Sequence, residues 1–115
     1  MLGRMSQNDE FCLVMSSIGN EAQAAELARA LLAEGLAACV QVQAIRSFYV
    51  WQDRAQDEAE CLLLIKTRAC LYAALEAFIR AHHPYQTPEI LRLPVTDGSA
   101  DYLQWMREQT RNDAC

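Results

Sequence analysis

The amino-acid sequence predicts an α+β domain of the ferredoxin-like class, in the order β-α-β-β-α-β with a final C-terminal helix. Two apolar runs, 11–17 and 61–65, are typical of buried strands. Helical patterns separate these runs from the elements that follow them. Because crossover connections are short and right-handed, this order favours one antiparallel sheet with both main helices on one face.

The first helix is bounded by clear start and stop signals. Asn20 has the short polar side chain of an N-cap, and Gly35 stands where a left-handed residue ends a helix. Between them, apolar residues repeat at helical spacing, as in an amphipathic helix. These residues are Ala24, Leu27, Ala28 and Leu31.

Segments 39–51 and 58–67 predict a hairpin of unusual length, joined by a polar turn at 52–56. Thirteen extended residues span about 43 Å, whereas fifteen helical residues cover only about 22 Å. The helices of this chain therefore cannot cover the hairpin, whose far half is apolar on both faces. Because monomers rarely expose such patches, we expect neighbouring copies to cover it in a homo-oligomer.

The second helix is expected to begin at a Thr67 cap and to end near Pro84, which disfavours helical geometry at the preceding residue. Residues 90–95 predict a fourth strand, and Gly98–Ser99 precede the last helix. The chain then divides into a loose leader (1–10), a single domain (11–108) and a tail (109–115).

Composition narrows the class of protein. The 115 residues are 52% apolar and 22% charged, as in globular domains. The net charge is -5, and the arginines are scattered rather than gathered on one stripe. Without a basic face, nucleic acid is not an expected partner. No run approaches the ~20 apolar residues of a membrane span.

Cysteine usage indicates a reducing compartment. The five cysteines form an odd count with no CxxC spacing, and three of them fall in apolar strand-like runs. We therefore expect a cytoplasmic protein without a disulfide framework. The polar first ten residues also lack the apolar stretch of a secretory signal.

Several separated segments, over about residues 11–107, resemble the CutA family of divalent-cation tolerance proteins in order and spacing. They are Leu36–Cys39, Ser47–Trp51, Glu60 with Leu64–Thr67, His83–Tyr85 with Thr87–Glu89, and Asp101–Trp105. The resemblance implies a cytoplasmic homotrimer, linked to copper and other divalent ions, whose long hairpins cross the subunit boundaries. It also implies an architecture like that of PII signalling proteins.

The pair His82–His83 is the candidate metal site, since neutral imidazole suits copper and zinc. The alternative is a packed, hydrogen-bonded histidine, because His82 continues the apolar stripe of the second helix. Family members with a copper site use a thiol where this chain has Ser16, so sulfur would have to come from Cys39 or Met15. We expect weak binding of copper or another divalent ion.

A second candidate site is an inter-subunit cleft that gathers Glu60, Lys66, Tyr85 and Glu89. Such a cleft could hold a small molecule, and the alternative is an interfacial ion pair that fixes strand register. The aromatic residues in turn are expected to be interface anchors rather than ligand contacts. These anchors are Tyr49, Trp51, Tyr102 and Trp105.

Two functions follow from these patterns. The first is a trimeric divalent-cation response protein that binds metal weakly. The second is a PII-like trimer that binds a small molecule or a partner protein at its clefts. Neither a catalytic triad nor a phosphate-binding loop is present, so we do not expect an enzyme.

Overall fold

The computed structural model describes residues 10–115 as an antiparallel sheet packed against helices. Across the sheet the strands run β2-β3-β1-β4, which confirms the predicted split βαβ arrangement. The strands are β1 (Phe11–Ile18), β2 (Cys39–Trp51), β3 (Arg54–Arg68) and β4 (Leu91–Val95). The helices are α1 (Glu21–Ala33), α2 (Tyr72–His82) and α3 (Ala100–Gln109). The leader predicted at 1–10 lies outside the described residues, apart from Glu10.

The main core lies between one sheet face and helices α1 and α2, as predicted. Alternate residues of β1 and β3 point into it because successive side chains of a strand face opposite sides. Its fully buried members include Val14, Leu31, Leu63, Leu75 and Ile79. The opposite sheet face is covered at one end by α3, through a smaller cluster of Phe11, Ala38 and Met106.

Helix α1 begins and ends as the sequence predicts. The Asn20 side chain accepts a hydrogen bond from the Gln23 amide at 2.9 Å, and so satisfies a free N–H of the first turn. Gly35 follows the helix with a φ of 69°, which an L-residue adopts only with strain. These two signals set the ends of α1 at Glu21 and Ala33, and its buried residues Ala24, Leu27 and Leu31 pack against the sheet.

Strands β2 and β3 pair over thirteen positions, from Cys39 opposite Lys66 to Trp51 opposite Arg54. The turn consists of Gln52 and Asp53 alone, so the predicted turn at 52–56 was too long. Both residues have positive φ, 53° and 64°, as the tightest hairpin turns require. Pairing therefore resumes at Arg54 rather than after a polar loop.

The far half of the hairpin extends beyond the helices, as its length predicted. No residue of β2 is buried within the described part of the chain. Phe48 and Val50 expose 71% and 74% of their surfaces. Coverage of this surface by other copies stays a prediction.

Helix α2 corrects one expectation and confirms another. Thr67 does not cap it: the Thr67 hydroxyl is buried and donates at 2.7 Å to the carbonyl of Leu36, in the connection between α1 and β2. A short 3₁₀ turn, Ala69–Leu71, precedes the helix instead. The end at His82 is confirmed, since His83 before Pro84 takes an extended conformation.

Two cysteines overturn the prediction of a chain without disulfides. Cys70 and Cys115 form a disulfide, with their Cα atoms 5.4 Å apart. They are 45 residues apart in sequence, so local spacing gave no sign that the tail returns to the turn before α2. Cys12, Cys39 and Cys61 are free and lie in strands, as predicted.

The last residues are also held by a buried arginine. Arg68 donates to the Thr110 hydroxyl at 2.9 Å, to the Arg111 carbonyl at 2.8 Å and to the Asn112 side chain at 2.6 Å. The Arg111 amide donates in turn to the Gly35 carbonyl. Residues 110–112 are thus fixed against the domain independently of the disulfide.

Candidate functional site

A cleft of about 710 Å³ lies between the hairpin and the loop that follows α2. Three carboxylates and four aromatic rings line it, and its described wall contains no lysine, arginine or histidine. The carboxylates are Glu58, Glu60 and Glu89, and the rings are Phe48, Tyr49, Trp51 and Tyr85. The cleft therefore combines negative charge with large apolar surfaces.

Two tyrosine–carboxylate hydrogen bonds organise the cleft. Glu58 and Glu60 lie two residues apart on β3, so both side chains leave the same face of the sheet. The Tyr49 hydroxyl donates to Glu58 at 2.7 Å, and the Tyr85 hydroxyl donates to Glu60 at 2.7 Å. Glu60 is only 7% exposed, so the Tyr85 bond compensates a buried carboxylate.

Both phenols keep their protons at neutral pH. The hydrogen bond to Glu58 raises the pKa of Tyr49 to about 12. Burial, followed by the hydrogen bond to Glu60, raises the pKa of Tyr85 well above its ordinary value. The tyrosines therefore act as donors, and the negative charge of the cleft resides on its carboxylates.

His83 fixes the loop that forms one wall of the cleft. Its Nε2 donates to the Ser17 carbonyl at 2.7 Å, while its Nδ1 accepts from the Tyr85 amide at 3.1 Å. These partners require the neutral ring with its proton on Nε2. The side chain is 8% exposed, and both ring nitrogens are occupied, so His83 anchors the loop to the end of β1.

His82 has a different environment. It is exposed, and its ring stacks on Phe78 with centroids 4.0 Å apart. Its Nδ1 lies 2.8 Å from the Phe78 carbonyl and serves as the donor there. Since Nε2 makes no hydrogen bond within residues 10–115, His82 offers a ring nitrogen that the buried His83 does not. Metal binding by this pair stays a prediction.

Ser16 and Cys39 lie apart from each other in the protomer. Ser16 pairs with Leu63 and is fully buried, with no hydrogen-bond partner for its hydroxyl in the described part of the chain. Cys39 lies on β2, two strands away from Ser16, and pairs there with Lys66 of β3. Its side chain leaves the opposite face of the sheet from that of Ser16. A separation of about 14 Å follows from strand spacing and rise. One ion cannot bridge the two within one protomer.

Lys66 lies outside the cleft. It is six residues from Glu60 along β3, which places it about 20 Å away on the same face. Its Nζ is 3.4 Å from the Tyr102 hydroxyl and 5.4 Å from the centre of that ring. Tyr102 stacks obliquely on Trp105 at 5.3 Å, so the predicted anchors of α3 form a separate half-exposed patch.

Comparison with known proteins decides the family. The model for the family described as CutA1 divalent ion tolerance protein matches residues 12–109. The chain belongs to this family. The match spans all of the strands and helices described above apart from the first residue of β1, so the resemblance proposed from separated motifs is confirmed.

Individual CutA proteins are similar to this chain over nearly its whole length. The divalent-cation tolerance protein CutA of Escherichia coli K12 is 40% identical over 112 residues, covering 96% of this chain and all of that protein. Crystalline CutA1 from Oryza sativa superposes with a TM-score of 0.88 at 37% identity, over 94% of this chain and 100% of that one. A CutA described as periplasmic, from Archaeoglobus fulgidus, superposes with a TM-score of 0.85 at 29% identity, over 86% of this chain and 97% of that one.

Of the eleven residues that line this cleft, sequence reasoning named three as cleft residues and predicted Tyr49 and Trp51 as interface anchors instead. It named Glu60, Tyr85 and Glu89, but missed Glu58 and Ser17, whose hydroxyl donates to Glu89 at 3.4 Å. The alternation of Glu58 with Glu60 on one strand was the available signal. Ser17 gave none, because its position depends on how the loop after α2 returns to β1.

Residues 10–115 contain neither a cluster of metal-binding side chains nor a membrane-spanning helix. No three histidine, cysteine, aspartate or glutamate side chains are grouped closely enough to hold a metal ion. No helix in that range has the length and apolar character needed to cross a bilayer.

Proposed function

We propose that this protein is a homotrimer that responds to divalent cations by binding them weakly, copper among them. The proposal rests above all on the charge of the cleft, where Glu58, Glu60 and Glu89 face a wall without basic side chains. A concave site lined by one sign of charge raises the local concentration of ions of the opposite sign. Membership in a divalent ion tolerance family supports the same class of ligand.

Binding is expected to be weak, because the described residues of one protomer supply no cluster of three donors. His82 does not line the cleft; it is proposed as a separate imidazole ligand, through its unengaged Nε2. His83 contributes only if it releases the Ser17 carbonyl. Ser16 is a poor ligand for copper as a neutral hydroxyl, and Cys39 would have to act from another subunit.

The trimer is proposed from apolar surface that one protomer leaves uncovered. Phe48, Val50 and Trp51 near the hairpin tip expose 71%, 74% and 41% of their surfaces. Leu91 and Leu93 add a second exposed strip on β4. Burial of such patches between copies stabilises an oligomer, and would enclose the cleft between subunits.

We also infer a cytoplasmic location and a binding role without catalysis. Three of the five cysteines are free, which supports a reducing compartment, and the exposed Cys70–Cys115 disulfide is open to reduction by thiols there. Cell fractionation with an antibody against the chain tests the location. Recovery with periplasmic or secreted markers would contradict it.

Isothermal titration with copper and zinc tests metal binding on the purified protein, after its mass has been measured by light scattering. We expect binding weaker than micromolar, reduced in His82→Ala and in the double variant Glu58→Gln/Glu60→Gln. Glu26→Gln/Glu108→Gln, at two exposed carboxylates on α1 and α3, is the charge-matched control and should bind as the wild type does. Equal binding by all variants would overturn the assignment.

A second candidate function rests on the aromatic walls of the same cleft. Four rings and a volume of about 710 Å³ suit a small organic ligand, as in a PII-like regulator. A thermal-shift screen separates the two functions, because a ligand that binds only the folded state raises the melting temperature. A shift with metal ions alone supports the first, and a shift with a nucleotide or metabolite supports the second.

A further inference from the structure

The disulfide between Cys70 and Cys115 joins two exposed residues, whereas the free thiols of Cys12 and Cys61 are buried. An exposed disulfide is open to attack by a thiolate, which a buried one is not. We propose that this pair is a redox-dependent site that, once reduced, binds a soft cation such as Cu(I) through two thiolates. The proposal is independent of the cleft and of His82.

Reduction is a balanced exchange with a low-molecular-weight thiol. A first thiolate attacks one sulfur, breaks the S–S bond and forms a mixed disulfide. A second thiolate then displaces the protein sulfur. The products are two cysteine thiols and the disulfide of the reductant, so the two electrons come from the reductant and the two protons go to the protein.

The fold keeps the two thiols together after reduction. Arg68 holds residues 110–112 through three hydrogen bonds that do not depend on the disulfide. Cys115 itself is joined to Asn112 by a local backbone bond. The pair therefore stays within reach, while the short segment 113–115 can adjust to place an ion between the sulfurs.

Thiolates select soft ions, and two of them form a sufficient ligand set for Cu(I). Divalent copper has the opposite effect on the same pair. Two Cu(II) ions each accept one electron, the two thiols lose their protons and two electrons, and the S–S bond forms again. The reduced site would thus bind Cu(I), whereas Cu(II) would be reduced and would close it.

The test compares oxidised and phosphine-reduced protein, desalted and kept anaerobic, in competition with a chromophoric Cu(I) chelator. We expect the reduced wild type to bind one more Cu(I) per chain than the oxidised form. Cys70→Ser and Cys115→Ser should each lose that ion. Cys61→Ala, the control at a free thiol that is buried in the core, should keep it.

The wild-type comparison does not depend on how any variant folds. Equal Cu(I) binding by the oxidised and reduced forms would overturn the proposal, and so would retention of the extra ion in both Cys70→Ser and Cys115→Ser. Adding two equivalents of Cu(II) to reduced protein should remove two hydrogen atoms from its mass and release two Cu(I). Unchanged mass would refute the oxidative step. Neither result bears on the carboxylate cleft.

Discussion

Phe48→Ala is expected to weaken self-association strongly. Phe48 lies near the tip of the hairpin, opposite Asp57 on β3, and exposes 71% of its surface in one protomer. If neighbouring copies cover it, each protomer contributes one such ring to the assembly. Replacing the ring with a methyl group removes most of that contact and leaves the core of the protomer unchanged.

The magnitude follows from the exposed area. An exposed fraction of 71% corresponds to about 140 Å² for a side chain of roughly 200 Å². Burial of that area stabilises the assembly by about 3.5 kcal/mol per protomer, and the alanine variant loses about 2.5 kcal/mol of that contribution. Three copies lose about 7.5 kcal/mol, or roughly five powers of ten in the association constant. Because three protomers associate, the midpoint concentration rises by its square root, roughly several hundred-fold.

Light scattering and sedimentation velocity over a dilution series measure that midpoint. Leu32→Ala is the control, since Leu32 is 47% exposed but lies on α1, away from the hairpin. Its midpoint should match the wild type. An unchanged midpoint for Phe48→Ala, or a wild type that is monomeric at micromolar concentration, would refute the argument that copies cover the hairpin.

Three further predictions concern the protomer. Arg107 lowers the pKa of Glu10 by hydrogen bonding, so this pair stabilises the fold above the unfolded pKa of about 4.3. The free energy of unfolding from urea titrations should fall by up to about 1 kcal/mol in Glu10→Gln at pH 7, and this difference should fade below pH ~4. His83→Ala removes two hydrogen bonds and should cost about 2–3 kcal/mol, against less than about 1 for exposed His82→Ala. Thr67→Val leaves a buried carbonyl unpaired and should cost about 1–3 kcal/mol by chemical denaturation.

Each of these has a contrary outcome. A Glu10→Gln difference that grows towards acid pH would reverse the sign assigned to the ion pair. Equal costs for the two histidine variants would contradict their different burial. Thr67→Ser keeps the hydroxyl and loses only the methyl group, which valine retains, so its cost should be smaller than that of Thr67→Val; a serine variant as unstable as the valine variant would contradict the weight given to the hydrogen bond.

The fold was predictable from the sequence because its signals are local. Asn20 and Gly35 mark the ends of α1 through cap chemistry, and alternating residues identify the strands. The exposed hairpin followed from length alone, since a strand rises more than twice as far per residue as a helix. These features require no knowledge of which distant segments meet.

The features that the sequence did not reveal depend on contacts between residues far apart in the chain. Thr67 has the composition of a helix cap, but tertiary packing directs its hydroxyl to the Leu36 carbonyl. The Cys70–Cys115 bond joins residues 45 positions apart, and Lys66 lies too far along its strand to reach Glu60. Adjacent residues also diverged, since His83 turned inwards and His82 outwards where the helix ends.

The two-residue turn at Gln52 and Asp53 determines what a partner would meet. Neither residue is glycine, although both adopt the left-handed conformation, at a cost of about 1–2 kcal/mol each. In return the turn permits a single register over all thirteen pairs. A slip of one position would exchange the two faces of the ribbon and point Phe48 where Tyr49 now points. Geometry at the tip thus dictates surface chemistry far along the strands.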